Sequence, residues 1–293
     1  WGLIMDIYDR ARAQTYKEKQ YKGRLLGFLY NKSLGRILLK AATSRLFSRA
    51  YAIYMGSKWS KKKIAPFIKQ YGVIMDDYKK GGYKSFNHFF ARKILPNKRP
   101  FSKRPQDLIA IADSKLTYYK IDGKLRLYIK GSRYSVSRLL KSQKAAEKFK
   151  GGSCLVFRLT VDDYHRYCYF DNGETLYTKK INGRLHTVSP ISNGKIPVFH
   201  ENYREASILK TENFGYVAQI EVGALLVGKI NNYNKPSFKK GAEKGFFEMG
   251  GSTIILFFTK GKIKIDSDIL YYSGKGIETK VKMGMAVGVK YYG

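Results

Sequence analysis

Ser252 stands in Met249-Gly250-Gly251-Ser252-Thr253, directly after two glycines and directly before the apolar run Ile254-Ile255-Leu256-Phe257-Phe258. Two readings fit these residues. Gly-Gly permits positive φ and the run suits a sheet interior, so a turn entering a buried strand accounts for them. The same arrangement sets a serine hydroxyl beside the unhindered carbonyl of Gly251, as an attack on the chain's own backbone requires. Such an attack needs a base and a group to orient it. His165 lies in Val161-Asp162-Asp163-Tyr164-His165-Arg166-Tyr167-Cys168, just after an apolar strand, where strand ends commonly deliver side chains to sites. Asp113 closes Ile109-Ala110-Ile111-Ala112-Asp113, as a turn former or as a buried partner for a histidine. Asp, His and Ser occur in nearly every chain of this size, so their presence alone does not make a triad. Of the other histidines, His88 reads as packing or surface, while His186 and His200 carry no local signal. Cys154 and Cys168, fourteen apart, have neither a zinc spacing nor a disulfide framework, and no metal site is expected.

The elements that must position these groups change character along the chain. Residues 1–22 are polar with weak periodicity. From Arg24 to about Met55 apolar residues recur at spacings of three and four, with Arg24, Lys32, Arg36, Lys40, Arg45 and Arg49 on the other face. No acid occurs between Gly23 and Met75. A basic amphipathic helix lies on a membrane or partner, or packs its stripe on the domain and solvates its charges. Ser60 is expected to cap a helix ended by Gly72, and Ser85 one running from Phe86 to about Ile94. The Pro/Lys/Arg-rich stretch 96–105 then marks a boundary between a helical part, 1–95, and a β-rich part, 96–293. In the second part Asp122-Gly123 predicts a hairpin joining Leu116–Ile121 to Lys124–Lys130. Ser135 to Phe149 reads as one helix, and short strands follow over Cys154–Thr160, Tyr167–Phe170, Thr175–Ile181, Leu185–Val188, Ser207–Thr211, Tyr216–Glu221 and Ala224–Ile230. The Val/Gly-rich tail Glu278–Val289 resembles that of compact β-barrels. The expected fold is α+β: N-terminal amphipathic helices, then a barrel-like catalytic domain.

The 293 residues carry 56 Lys+Arg against 22 Asp+Glu, net +34. Residues 1–104 hold 25 of those bases and only 5 of the acids, more than half the excess. Such a field attracts nucleic acid or an anionic membrane, and composition does not choose between them. No apolar run approaches the roughly 18–20 residues that span a bilayer, and no cleavable signal peptide is expected. The chain opens at Trp1 rather than Met, so a few residues are expected to precede it.

Several blocks together resemble phosphatidylserine decarboxylase proenzymes. They are Phe86-Asn87-His88-Phe89-Phe90-Ala91-Arg92 with Arg99-Pro100, Ala112-Asp113, Asp163-Tyr164-His165-Arg166, Glu221-Val222-Gly223-Ala224-Leu225-Leu226-Val227-Gly228, and Lys239 through Thr253. They occur in the family's order and cover about residues 30–290. The closest subgroup is a bacterial one with Tyr-His-Arg-Tyr-Cys and Leu-His-Thr-Val.

The resemblance implies that the proenzyme cuts itself between Gly251 and Ser252, into chains 1–251 and 252–293 that stay associated. Ser252 would become a covalent pyruvoyl group, the cofactor, whose carbonyl forms a Schiff base with the serine amine of phosphatidylserine while carbon dioxide leaves. Asp113 and His165 would serve Ser252 as orienter and base, and His165 would also quench the carbanion. Many family members carry a second histidine where Cys168 stands. His186 is then the alternative imidazole, and His165 is favoured because it lies inside a matched block. The expected setting is peripheral, on the cytoplasmic side of the cell membrane, with an anionic phospholipid surface as partner and a homodimer as one possible assembly. Three alternatives remain: a decarboxylase of a related serine-headgroup lipid, a homologue that does not process itself, and a basic nucleic-acid-binding protein. Against the last, the basic residues are dispersed and the aromatics form no RNA-binding signature, so no nucleic acid is expected.

Overall fold

A computed structural model describes residues 4–19, 23–32, 34–35, 38–39, 43–129, 132–187, 197–224, 229–250 and 252–292. In chain order its strands begin with β1 (Ile4–Asp9), β2 (Gln14–Lys19), β3 (Asp107–Ile109), β4 (Ser114–Lys120), β5 (Arg126–Ile129) and β6 (Ser132–Ser135). They continue with β7 (Ser153–Leu159), β8 (Arg166–Cys168), β9 (Gly173–Ile181), β10 (Arg204–Thr211), β11 (Gly215–Val222) and β12 (Ile230–Asn232). The last are β13 (Ser237–Phe238), β14 (Glu243–Phe247), β15 (Ser252–Phe258), β16 (Ile263–Ile265), β17 (Glu278–Val281) and β18 (Ala286–Lys290). The helices are α1 (Gly23–Asn31), α2 (Arg45–Gly56), α3 (Ile64–Tyr71), α4 (Phe86–Phe90), α5 (Val136–Leu140), α6 (Gln143–Glu147), α7 (Val198–Glu201) and α8 (Ser267–Gly274).

The class is mixed α+β, but no barrel closes. Ten strands form one open sheet in the order β13-β9-β10-β11-β15-β7-β4-β17-β1-β2. Its two edges explain why it stays open: β13 has only two residues, and β2 reads Gln-Thr-Tyr-Lys-Glu-Lys. Short and charged edge strands resist further pairing. Short Val/Gly-rich strands suit a barrel or an open sheet equally, so the tail could not decide closure. β17 joins the large sheet, whereas β18 joins a separate small one with β16 and β3.

β15 lies near the middle of the large sheet, antiparallel to β11 and β7, and every residue from Ser252 to Phe258 is buried. Its unbroken Ile-Ile-Leu-Phe-Phe run is what burial on both faces requires. The main core gathers Leu155, Phe157, Phe149, Ile269 and β15. A second cluster unites Met55, Phe67, Phe86, Phe89, Phe90, Val161 and Met249, bringing α2, α3 and α4 against the approach to Ser252.

Several local expectations are corrected. The polar segment 1–22 supplies a hairpin, β1–β2, and β1 runs parallel to β17 in the large sheet. The helical pattern from Arg24 to Met55 is broken at Ser44, whose extended backbone and side chain, accepting from Phe47 N at 3.2 Å, start α2 afresh. Ser60 caps nothing: it is fully buried, donates to the Met55 and Ser57 carbonyls and accepts from Phe86 N at 2.8 Å. Gly72 does end α3, at φ 59°. Ser85 caps α4 through His88 N, and the helix stops at Phe90, short of Ile94. Asp122-Gly123 does not join paired strands. The Asp122 carboxylate accepts from Lys124 N and Arg126 N, turning the chain so that β5 pairs with β6. The helix expected over 135–149 is two, α5 and α6, divided where Lys141 adopts φ 51° and Ser142 caps the second. Leu185–Val188 forms no strand through Thr187, and Val188 lies outside the described residues, as does 225–228 of the strand expected over Ala224–Ile230.

Candidate active site

Ser252 opens β15 in register with Leu159 of β7, and Thr253 pairs with Val222 on the other side. Gly250 just before it has φ 136°, a conformation that a side chain would strain. Gly251 lies outside the described residues. The Ser252 hydroxyl is fully buried and has no hydrogen-bond partner among the described residues, and the Thr253 hydroxyl beside it is in the same state. Buried hydroxyls are normally satisfied, so an orphan at this position marks a group held for another purpose.

His165 reaches the site through a turn built on Asp163. β7 ends at Leu159, and the Asp163 carboxylate accepts from Thr160 N at 2.7 Å and from the Thr160 hydroxyl at 2.8 Å. Lys115 of β4, fully buried, donates to both Asp163 oxygens at 3.0 and 2.8 Å. Burial pushes the Asp163 carboxyl up to about 6, and Lys115 opposes that rise. The Asp163 carbonyl faces His165 Nδ1 at 3.0 Å. A carbonyl only accepts, so Nδ1 carries the proton and Nε2 presents its lone pair. Nε2 is buried with no partner among the described residues. Burial lowers the imidazole to about 3, which keeps it neutral at physiological pH. The Phe90 ring lies 4.2 Å from the imidazole ring between centroids. His165 O accepts from Phe247 N at 3.0 Å, tying this turn to the segment that enters Ser252.

His186 sits on the other flank. Asn202 accepts from His186 N at 2.9 Å and donates to His186 O and Gly223 O, both at 2.7 Å. Gly223 follows the Val222 that pairs with Thr253, so the His186 backbone is tied to the end of β11. Its Nδ1 is buried and unpartnered, and burial lowers its proton affinity. Backbone hydrogen bonds thus tie His165 to the segment that leads to Ser252 and His186, through Asn202, to the end of β11.

Asp113 is placed differently. Arg99 grips it side-on, Nε to Oδ1 at 3.0 Å and Nη2 to Oδ2 at 2.7 Å, and Met283 N donates to Oδ1 at 2.8 Å. Arg99 also bonds Asp77 at 3.1 Å. Cys168 lies nearby: its N donates to Ile111 O at 2.9 Å, and burial pushes its thiol up to about 12, with the Asp113 charge adding to the rise. Among the described residues, no hydrogen bond links Asp113, His165 and Ser252 to one another. Of the rest, His88 is exposed, and His200 is structural, its Nε2 accepting from Ser135 N at 3.0 Å.

Sequence reasoning missed the supporting residues. Asn87 of α4 accepts from Met249 N at 3.4 Å, holding the segment before Gly250. Arg166 donates to the carbonyls of Ala91 and Arg92 and to Glu243. The only sequence signal for Asn87 was its place in the Phe86–Arg92 block; nothing marked Lys115.

Comparison with known proteins bears on this geometry directly. The family model for phosphatidylserine decarboxylase matches residues 86–289. The chain belongs to that family. It is 56% identical over 287 residues to phosphatidylserine decarboxylase proenzyme 2 of Clostridium acetobutylicum, covering 98% of this chain and 99% of that one. It is 42% identical to the phosphatidylserine decarboxylase proenzyme of Ruminiclostridium cellulolyticum over 292 residues, 97% of each chain. It is likewise 42% identical to that of Clostridium tetani over 295 residues, 98% of this chain and 99% of the relative. Membership favours the lyase reading over a basic nucleic-acid-binding protein. The family match begins at Phe86, the first residue of the helix that supports both His165 and the approach to Ser252.

Proposed function

We propose that this chain is a self-processing proenzyme that decarboxylates phosphatidylserine to phosphatidylethanolamine and carbon dioxide. The observation that carries the proposal is the Ser252 hydroxyl, fully buried, unpartnered and preceded by the left-handed Gly250. In the first step its oxygen attacks the Gly251 carbonyl while His165 Nε2 takes the hydroxyl proton. The Gly251–Ser252 amide becomes an ester and frees the Ser252 amine. Loss of the Ser252 α-proton then expels the Gly251 carboxylate, and hydrolysis of the resulting dehydroalanine releases ammonia and leaves a pyruvoyl group at the new N-terminus. That carbonyl supplies the electron sink on which carbon dioxide is lost. A neutral imidazole with a free Nε2 and a hydroxyl without a competing partner are the residues such a site needs. In this reading Asp113 acts from beside Cys168 and orients the base once Arg99 yields.

The 252–293 piece would remain bound after the cut. It contributes β15 between β7 and β11, and β17 between β4 and β1. The membrane-facing part would come from residues 1–95, apart from the β1–β2 hairpin, which is built into the sheet. Its support is an unpartnered apolar set beside lysines: Ile53, Trp59 and Ile74 are 76%, 69% and 67% exposed, next to Lys58, Lys61, Lys62 and Lys63. No helix among the described residues is long and apolar enough to cross a membrane. In this reading the enzyme docks peripherally, on the cytoplasmic side of the cell membrane.

A denaturing gel with intact mass measurement tests the reaction. The expected result is a large piece ending at Gly251 and a small one beginning at Ser252 that reacts as a carbonyl, with Ser252→Ala left whole. In the same assay His165→Gln is expected to slow cutting by about 100-fold or more, the lower range for a general base, while His186→Gln cuts within a few-fold of the unaltered rate. A single chain that stays whole under all conditions removes the mechanism, and the opposite ranking of the two histidines reassigns the base.

A further inference from the structure

Arg92 and Arg204 are the two bulkiest fully buried side chains, and they are satisfied very differently. Arg204 directs Nε to Leu139 O at 2.9 Å, Nη1 to His200 O at 2.8 Å and Asn202 O at 3.0 Å, and Nη2 to Arg138 O at 2.8 Å. Among the described residues Arg92 donates one long hydrogen bond, Nη1 to Phe90 O at 3.5 Å, and its Nε and Nη2 find no acceptor. Among the described residues no carboxylate pairs with it. Beside it lie the Tyr78 ring at 4.3 Å, with its neutral hydroxyl, and the Phe89 ring at 5.0 Å. Ring faces return only part of what a buried cation loses on leaving water. The unmade donors are also the informative ones: Nε and Nη2 form the edge of a guanidinium that presents two parallel N–H bonds to paired oxygens.

The location fits a ligand rather than a structural partner. Arg92 follows α4, whose Phe90 lies against His165 and whose Asn87 holds Met249. Its charge contributes to holding the His165 imidazole neutral. One residue beyond the Tyr78 ring, the chain from Lys79 to Gly82 is exposed. The guanidinium thus adjoins the helix that packs on His165, and the Tyr78 ring beside it leads into exposed chain.

We infer that Arg92 receives the phosphodiester anion of the lipid headgroup through Nε and Nη2. This rests on the phosphatidylserine reading above. The same headgroup offers a second oxygen pair, the serine carboxylate, but that charge disappears as carbon dioxide leaves. A guanidinium on it would stabilise the starting state more than the transition state and slow the reaction. The phosphate keeps its charge throughout, so binding it anchors the substrate without penalty to the chemical step.

The test uses the full-length protein, unaltered and as Arg92→Gln and Arg92→Lys. The probe is dihexanoyl-phosphatidylethanolamine, which has the phosphodiester and no carboxylate, and its binding is read by calorimetry without need of turnover. Free serine, with the carboxylate and no phosphate, is the contrast, read as inhibition. Arg92→Gln is expected to weaken probe binding about tenfold or more, the loss of a charge-assisted pair, with partial recovery in Arg92→Lys. KM for short-chain phosphatidylserine should rise more than kcat falls, and inhibition by free serine should not change. The lipid-free melting temperature of Arg92→Gln should stay level or rise, because an unpaired buried cation has been removed. Equal probe binding by all three proteins overturns the inference, as does a lower melting temperature, which makes Arg92 a structural group. A loss confined to kcat and to free serine assigns the guanidinium to the carboxylate instead. Failure of the unaltered protein to decarboxylate phosphatidylserine strikes the reaction itself, whereas decarboxylation with an unchanged KM in Arg92→Gln strikes only this site.

Discussion

His165 and Ser252 are both fully buried, and among the described residues each keeps one polar atom without a partner. For the imidazole this has a consequence that pH exposes. In the unfolded chain a histidine titrates near 6.5, and in the fold burial lowers His165 to about 3 and His200 to about 4. Above about pH 6.5 both states hold the imidazoles neutral and the full stability is present. As pH falls from there toward 3 the unfolded chain takes up protons that the folded chain refuses, so stability drops. Asp163, raised to about 6, works in the opposite sense: its contribution is present at low pH and is lost as pH rises through 6. Two histidines outweigh one carboxyl, so the urea midpoint is expected to fall between pH 6.5 and 4, and to fall less steeply in His165→Gln. An unchanged slope in that variant would mean that His165 is already protonated in the fold. The residue types of this site were legible from the Gly-Gly-Ser spacing and the matched blocks. The tautomer of His165 was not, because it depends on the Asp163 carbonyl, and a backbone atom leaves no mark in residue identity.

At the scale of elements, strands that run through the middle of the sheet were legible and its edges were not. β7, β9, β11 and β15 follow from apolar runs or alternation bounded by turn residues. β1 and β2 read as polar chain because β2 is an edge strand whose side chains meet water and salt-bridge partners. Glu18 on β2 bonds Arg158 Nη2 at 3.0 Å and lies 3.4 Å from Lys115, while Arg158 also grips Glu278 of β17. Arg10 joins Asp266 at 2.5 Å and Asp268 at 2.7 Å. These pairs fasten the hairpin to the C-terminal forty residues, across the position of the proposed cut. Glu278→Gln leaves the buried Arg158 with only the partly exposed Glu18, and breaking a buried pair by removing one partner costs about 3–5 kcal/mol. The expected outcome is a lower thermal midpoint and, in the cut protein, release of the small piece at lower urea. A midpoint within experimental scatter of the parent would show that Glu18 alone suffices.

The whole molecule decides how charge and apolar surface are used. The basic N-terminal third could pack its apolar stripe or expose it, and it does both. Met55 is buried against Phe67 and Met249, with Tyr51 donating to Met249 Sδ at 3.5 Å, while Ile53 and Trp59 face outward. Deleting residues 1–60 would therefore be a poor test of membrane docking, since it also removes β1 and β2 from the sheet. Ile53→Glu together with Trp59→Glu leaves the core intact. In flotation with phosphatidylserine-containing vesicles this pair is expected to lower the bound fraction several-fold, and raised salt should weaken the parent as well, since interactions at the surface are screened. Undiminished flotation of the double variant would place the docking surface elsewhere.

The sequence by itself determined the family and the strand that opens at Ser252, and it pointed to the serine proposed as nucleophile. Those are written in local identity: two glycines before a serine, then an apolar run with no polar face. Tertiary structure alone decided that the sheet stays open, because closure depends on how edge strands meet. It decided that Asp113 is held by Arg99 and lies beside Cys168, and that backbone hydrogen bonds tie His165 to Phe247 and His186, through Asn202, to Gly223, because strand register brings together residues far apart in the chain. It also left Arg92 buried with two donors unmade, which a list of residues cannot reveal, because an arginine's partners exist only once the chain has folded around it.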